Sequence, residues 1–374
     1  MIQLSQIKLP VDHTKEELDK KIEKLLGLRK VPEYRIKKQS IDARKKPDIY
    51  YTYTVELEVP NEQRCIKRCR QASVITRKEY HIPESGTAKM EERPVIVGMG
   101  PAGLFAGYLL AEAGYEPILI ERGEPVEKRV ETIEEFWKSG KLNTRSNVQF
   151  GEGGAGTFSD GKLNTLVKDK FSRNQFVMET FVQFGAPEEI LYTNKPHIGT
   201  DLLRHVIRNM REKIKDLGGT ILFETQMTDV KILDGKLTEI CLNEQEWISC
   251  GPVILAVGHS ARDTFEMLYQ KEIPMRSKSF AIGVRVEHPR EMIDASQYGE
   301  GYPEGLLPTA PYKLTAKAEN GRSVYSFCMC PGGYVVNASS EEKRLVVNGM
   351  SNHDRMAANS NSAIIVNVTP EDYG

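Results

Sequence analysis

Gly98, Gly100 and Gly103 form a G-x-G-x-x-G array within residues 94–123, PVIVGMGPAGLFAGYLLAEAGYEPILIERG. That spacing suits phosphate binding. The first glycine permits a tight turn, and the second lets a pyrophosphate reach the backbone where Pro101 and Ala102 open a helix. The third lets helix and strand pack closely. Glu121, 18 residues beyond Gly103, offers an acceptor for a ribose hydroxyl. These residues need a strand before them, a helix after them and a second strand to carry the acid. Val95–Val97 is an apolar run of the kind buried on both faces. The helix runs to about Ala113 and ends at Gly114, and Pro117–Ile120 begins the second strand. Residues 94–111 carry no charge. A membrane span, however, needs about 20 apolar residues, and Gly-Pro-Ala-Gly breaks this run. The stretch reads as a dinucleotide site.

A second constellation is GEGGAGTFSDGKLNT, residues 151–165, with Gly153, Gly154, Gly156 and Thr157 at its centre. No packed helix or strand needs that composition. Successive backbone N–H groups in such a loop form an anion nest or hydrogen-bond a flat heterocycle. Pro252–Val257 is a further apolar strand, and Gly258-His259-Ser260 follows at its carboxyl end, where ligands of open α/β sheets sit.

Composition narrows the classes. With 51 Lys+Arg against 52 Asp+Glu in 374 residues, no global field draws the chain to nucleic acid or to a membrane. Residues 1–93 carry a net charge of +6, which reads as a solvated surface. Six cysteines do not make a disulfide scaffold, and neither Cys65/Cys69 nor Cys328/Cys330 has C-x-x-C spacing, so no metal is expected. Lys8, Asp12 and Lys15 interrupt any leader-like apolar run, and a cytoplasmic location is expected.

The elements in order suggest four parts. Residues 1–90 form a small α+β domain: a strand at Ile2–Leu9, a T-x-x-E capping box at Thr14 and Glu17 before a helix ended by Gly27, and a strand at Tyr50–Val59. Residues 91–165 and 195–260 form the discontinuous dinucleotide domain, with a helix capped by Thr200 and an Asp234-Gly235 hairpin. Residues 166–194 are a helical insertion. Residues 261–374 form a mostly β substrate domain, with strands at Phe280–Glu287, Ser323–Met329, Tyr334–Asn337 and Leu345–Asn348.

Taken together, GMGPAGLFAGYLLAEAGYEPILIERG, GEGGAGTFSDGKL, VILAVGHSARDTFEML, SFCMCPGGYVV and NGMSNHDRMAANSNSA resemble the uncharacterised FAD-dependent dehydrogenases of bacteria, flavoproteins of the glutathione-reductase type. The resemblance covers nearly the whole chain. It implies a Rossmann-like FAD-binding domain, with FAD rather than NAD at the first glycine array. Glu121 and Arg122 would then serve the adenosine side, the Val230 backbone would meet adenine, and the 151–162 loop would run beside the isoalloxazine. Val257 and Gly258 would lie against the cofactor. It also implies a late segment at the ribityl chain, which is not found before Gly374, so a shortened member with weaker FAD binding is expected.

The resulting expectation is an FAD-dependent oxidoreductase that passes hydride through flavin N5 to or from a small-molecule substrate, with NAD(P)H as a possible electron donor. His197, His259 and His353 are the acid–base candidates, because histidine titrates near neutrality. Cys328 and Cys330 are thiol candidates, and Arg285, Arg355 and Asn359 are candidates for holding an anionic substrate. The alternative is a truncated, non-catalytic protein that keeps the fold and binds FAD, or binds a partner through residues 1–90. A flavin absorbance spectrum separates the two.

Overall fold

A computed structural model describes every residue except 164, 166, 303, 304 and 374. The expectations that touch Asn164 and Gly374 therefore lie outside the described residues. The chain runs β1 (Ile2–Pro10), α1 (Lys15–Leu26), β2 (Tyr34–Lys45), β3 (Asp48–Leu57), α2 (Glu62–Arg68) and β4 (Ala72–Val74). It continues through β5 (Val95–Val97), α3 (Pro101–Glu112), β6 (Ile118–Ile120), α4 (Val126–Ser139), α5 (Arg173–Gln183) and α6 (Thr200–Asp216). Next come β7 (Thr220–Leu222), β8 (Met227–Leu233), β9 (Lys236–Leu242), β10 (Glu246–Ser249), β11 (Val253–Leu255) and α7 (Arg262–Gln270). The last elements are β12 (Phe280–Pro289), α8 (Arg290–Tyr298), β13 (Thr315–Lys317), β14 (Ser323–Cys330), β15 (Tyr334–Asn337), β16 (Val347–Met350), β17 (Asn359–Val368) and α9 (Pro370–Tyr373).

These elements gather into two units. The first joins residues 1–82, 162–198 and 288–312. Its antiparallel sheet, in the order β2-β3-β1-β4, buries one face under α1. The register of β1 shifts between Leu4 and Ile7, with Gln6 at a φ of 58°. This bulge keeps Ile2, Leu4, Ile7 and Leu9 all on the core side, against Leu18, Ile22 and Leu26 of the helix. Helix α1 starts at the expected capping box, in which Thr14 and Glu17 bond each other's backbone N–H, and ends at left-handed Gly27.

The second unit holds residues 83–161, 199–287 and 313–374. Its parallel sheet has the order β11-β5-β6-β7. Val97, Ile120 and Leu255 lie level at the carboxyl ends of their strands. Three antiparallel strands, β10-β9-β8, contribute Met227, Val230, Ile240 and Leu242 to a core shared with Val95, Val97 and Ile120. The turn between β8 and β9 has positive φ at both Asp234 and Gly235, as the Asp-Gly hairpin requires. A four-stranded sheet, β12-β17-β14-β13, and the β15–β16 hairpin complete the unit. Thr200 is the first helical residue of α6 rather than its cap. Gly199 caps the helix, and the Thr200 hydroxyl donates instead to the Thr157 carbonyl at 2.5 Å.

Candidate active site cleft

The carboxyl ends of β5, β6 and β11 open onto a cleft of about 380 Å³ in the second unit. Each glycine of the first array has a distinct steric role. Gly98 has a φ of 100°, and a Cβ there would come within 2.4 Å of the Ala256 carbonyl oxygen. A Cβ on Gly103 would lie 1.8 Å from the Gly98 carbonyl oxygen, so helix and turn can close up only without a side chain. Gly100 differs: it lines the cleft, and the nearest atom to its virtual Cβ is the Gly154 Cα at 3.9 Å. Pro101 and Ala102 also line the cleft at the start of α3. A helix amino terminus facing an open cavity is suited to an anion.

Glu121 is buried at the cleft wall. It accepts hydrogen bonds from the backbone N–H of Met99 (2.8 Å), Gly123 (2.9 Å) and Gly151 (3.0 Å). A carboxylate has about four lone-pair sites, so three donors leave one for a ligand hydroxyl. The sequence assigns Glu121 to a ribose; what the structure shows is that it ties the glycine turn to the second glycine loop.

Arg122 lines the cleft, but its guanidinium is engaged within the protein. It pairs with both oxygens of Asp263 at 2.9 and 3.0 Å and lies 4.4 Å from the centre of the Phe150 ring. Burial would raise the Asp263 pKa, but the Arg122 hydrogen bonds and charge outweigh it and hold the carboxyl below its usual range. Val230 is buried in the core beneath, and its N–H already meets the Asp229 carboxylate at 2.7 Å. Thr225, Gln226 and Met227, just before it in the chain, are the residues of that segment that reach the cleft. Val257 and Gly258 both line it, and Gly258, at a φ of 73°, has open space where a Cβ would stand.

The second glycine loop contributes Gly151, Gly154 and Ala155 to the wall. Gly153 is packed away, where a Cβ would lie 2.1 Å from the Thr157 hydroxyl and 2.4 Å from the Ile207 side chain. Thr157 is fully buried, and Gly156 has open space around it.

What holds this loop was not foreseen. Arg129 of α4 is fully buried and donates to four backbone carbonyls: Asn147 (2.9 Å), Val148 (3.0 Å), Glu152 (2.6 Å) and Gly154 (3.0 Å). Burial lowers its pKa to about 10, against the raising effect of the Glu121 and Glu152 charges. Glu152 is also fully buried. Its Oε2 accepts from the Val126 N–H and from Arg211, each at 2.7 Å, while Oε1 has no hydrogen-bond partner among the described residues. Burial pushes the Glu152 carboxyl up to about 7, although Arg211 works to lower it. The signal for Arg129 lay in its place on the apolar stripe Val126, Val130, Ile133, Phe136 and Trp137, where a charge has no solvent.

Of the acid–base candidates, His259 lines the cleft, next to Ser260. His197 lies in the first unit, where its backbone forms an isolated bridge with Lys162. His353 and Cys328 are not among the residues lining the cleft. Arg355, a candidate for a substrate anion, is buried against Asp160, donating Nε to Oδ1 at 2.9 Å and Nη2 to Oδ2 at 2.5 Å. The Ser351 hydroxyl also donates to Asp160. Arg285 donates to Asn361 at 2.7 Å and to the Cys328 carbonyl at 3.2 Å. Asn359 begins β17, and its carbonyl accepts from the Gly333 N–H. Among the described residues no group of three or more His, Cys, Asp or Glu is placed to hold a metal, and no helix is long and apolar enough to cross a membrane.

An uncharacterised protein of Clostridium beijerinckii is 49% identical over 377 residues, a match that takes in 100% of this chain and 70% of that protein. The chain belongs to its family. Residues 279–374 match a family described as FAD-dependent protein, C-terminal domain-like, and residues 1–58 match a domain of unknown function, DUF8436. Among solved structures, Thermovibrio ammonificans THI4 is 18% identical at a TM-score of 0.31, covering 49% of this chain and 64% of that one. The halogenase PltM is 10% identical at a TM-score of 0.37, covering 76% and 53%. The chain thus spans less than two thirds of either solved structure.

Proposed function

We propose that the cleft binds FAD and that the protein is a flavin-dependent oxidoreductase of the glutathione-reductase type, acting on a small-molecule substrate with NAD(P)H as electron donor. The observation that carries this reading is Gly100: it stands at a helix amino terminus and lines the cleft, and the one atom near its virtual Cβ is the Gly154 Cα at a van der Waals distance of 3.9 Å. A ligand can approach the backbone there as a pyrophosphate must. The volume lies near the low end of ligand sites, about 300–1,000 Å³, which suits the adenosine diphosphate half of the dinucleotide.

In this reading Gly98–Gly103 hold the pyrophosphate, and the remaining acceptor of Glu121 takes a ribose hydroxyl. Ala155, Val257 and Gly258 continue the wall toward the ring. When bound, the flavin supplies hydride transfer at N5. The second glycine loop would meet the ring at Ala155, since the N–H groups of Gly151, Glu152, Gly153 and Gly154 are bonded to Glu121 and to the Glu124, Met99 and Gly151 carbonyls, and His259 is the side chain in the cleft that would hold or pass a proton. The match over residues 279–374 to FAD-dependent proteins supports the cofactor.

Absorbance of the purified protein after incubation with FAD tests this directly. A flavin spectrum retained on desalting is expected. Gly100→Val should lose it while the folded state survives, because the new side chain projects into the cleft. FAD retained at wild-type stoichiometry in that variant overturns the assignment.

A further inference from the structure

Arg285 of β12 is anchored through one nitrogen and free at the other two. Its Nη1 donates to Asn361 Oδ1 at 2.7 Å and to the Cys328 carbonyl at 3.2 Å. Nε and Nη2 have no hydrogen-bond or ion-pair partner among the described residues, and both reach solvent from a half-buried side chain. Those two nitrogens form one edge of the planar guanidinium, a fork that matches the two oxygens of a carboxylate. Arg355 shows the fit, because the same edge of its guanidinium is filled by Asp160.

The anchor is built from features that a merely solvated arginine does not need. The register of β14 shifts between Phe327 and Cys330, and within that bulge Cys328 has a φ of 47°. A left-handed backbone at a non-glycine residue is costly, and here it accompanies the carbonyl that Arg285 uses. Gly349 of β16 leaves the room: a Cβ there would lie 2.5 Å from both Arg285 Nη1 and Asn361 Oδ1, and 2.6 Å from Cys330 Sγ. Asn361 of β17 is fully buried, yet its Nδ2 has no hydrogen-bond partner among the described residues. Buried donors ordinarily find acceptors. This cluster has donors left over, and the group it lacks is an acceptor.

We propose that the free Nε/Nη2 edge of Arg285 seats a carboxylate of the substrate, with Asn361 as the positioning residue that fixes the guanidinium from behind. One positive charge and one two-pronged edge suit a carboxylate better than a phosphate dianion. That the ligand is the substrate rests on the flavin reading above; that it is a carboxylate does not.

The test is a titration with acetate, and with neutral acetamide as its isostere, at constant ionic strength, with and without FAD. The readout is the side-chain Nε–H resonance of Arg285 in isotope-labelled protein, identified by its loss in Arg285→Lys. Acetate should shift this resonance saturably, and acetamide should bind at least about tenfold more weakly. Asn361→Asp sets a carboxylate against Nη1 and neutralises the guanidinium while leaving the fork in place. It should weaken acetate by about fivefold or more. If Arg285→Lys does not fold, Asn361→Asp identifies the resonance by the shift it causes. An unmoved resonance, an equal response to acetamide, or unchanged acetate affinity in Asn361→Asp overturns the proposal. So does a preference for inorganic phosphate of more than about tenfold. Acetate binding without any retained flavin keeps the seat and sinks the cofactor assignment; a retained flavin without an acetate response does the reverse.

Discussion

Two glycine-rich stretches wall the same cleft, and they are held by opposite means. Around Gly98 and Gly103 close steric contact shapes the turn, beside the Met99 N–H bond to Glu121: carbonyl oxygens occupy the places where side chains would be. Around Gly151–Gly154 the backbone is gathered by a buried guanidinium, with a buried carboxylate and its arginine partner behind it. Gly151 is needed there because Arg129 passes where its Cβ would be, 2.4 Å from the Arg129 Cδ. A sterically fixed loop fails when atoms are added. An electrostatically fixed loop fails when a charge is removed. The difference is testable residue by residue.

The largest effect is expected from Arg129→Met, which keeps the apolar stem but leaves four buried carbonyls without their donor. Removing one member of a buried ionic network typically costs about 3–5 kcal/mol. Urea unfolding should show a loss of that size, and a loss under about 1 kcal/mol would mean the loop holds itself.

Next is the pH dependence set by Glu152, whose carboxyl rises from 4.5 to about 7 on folding. Below pH 4.5 it is protonated in both states, and its contribution to stability is fully present. As the pH climbs toward 7 the unfolded chain releases this proton while the folded protein keeps it, so that contribution is lost. The slope approaches about 1.4 kcal/mol per pH unit. Glu152→Gln keeps an acceptor for the Val126 N–H, and Arg211 retains Glu127 and Glu212. Chemical denaturation from pH 5 to 8 should therefore be flatter in this variant. Parallel curves would assign the slope to another group.

Gly103→Ala comes third. The added methyl must push helix α3 away from the Gly98 carbonyl, at about 1–3 kcal/mol, the usual range for overpacking. Gly100→Val, a few residues away on the same turn, should cost less, about 0.5–1 kcal/mol for the poorer helix cap, because its Cβ meets the Gly154 Cα at 3.9 Å and clashes with no carbonyl. If the two variants are equally unstable, the contrast between a packing glycine and a cleft-lining glycine is lost.

What the sequence made legible follows from how local each cause is. The Thr14–Glu17 box, the Asp234-Gly235 turn and the first glycine array rest on neighbours a few residues apart, and spacing alone announces them. Arg129 was hidden because an arginine on a helix ordinarily reads as solvated, and only the folded loop supplies its four acceptors. β2 was missed because YRIKKQSIDARK is an outer strand dense in charge. β17 was missed because its first residues, Asn-Ser-Asn-Ser, face a polar interior: Ser360, Asn361 and Ser362 are fully buried, so hydrophobic alternation is absent where burial is deepest. Arg355 was expected to await a substrate. Its partner Asp160 is 195 residues away in sequence, beyond any reading by local pattern.

That long separation bears on the order in which the cleft matures. The first glycine turn needs only residues 95–121 and the adjoining strands. The far end of the second glycine loop is pinned by the Asp160–Arg355 clasp, across 195 residues of chain. During synthesis, at about 5–20 residues per second, the first glycine turn can assemble many seconds before the partner of Asp160 leaves the ribosome. Until then the loop has a buried carboxylate in prospect and no cation to neutralise it. The cleft is therefore finished from one side first. A nascent chain would present a half-built cleft, open along the wall that closes last.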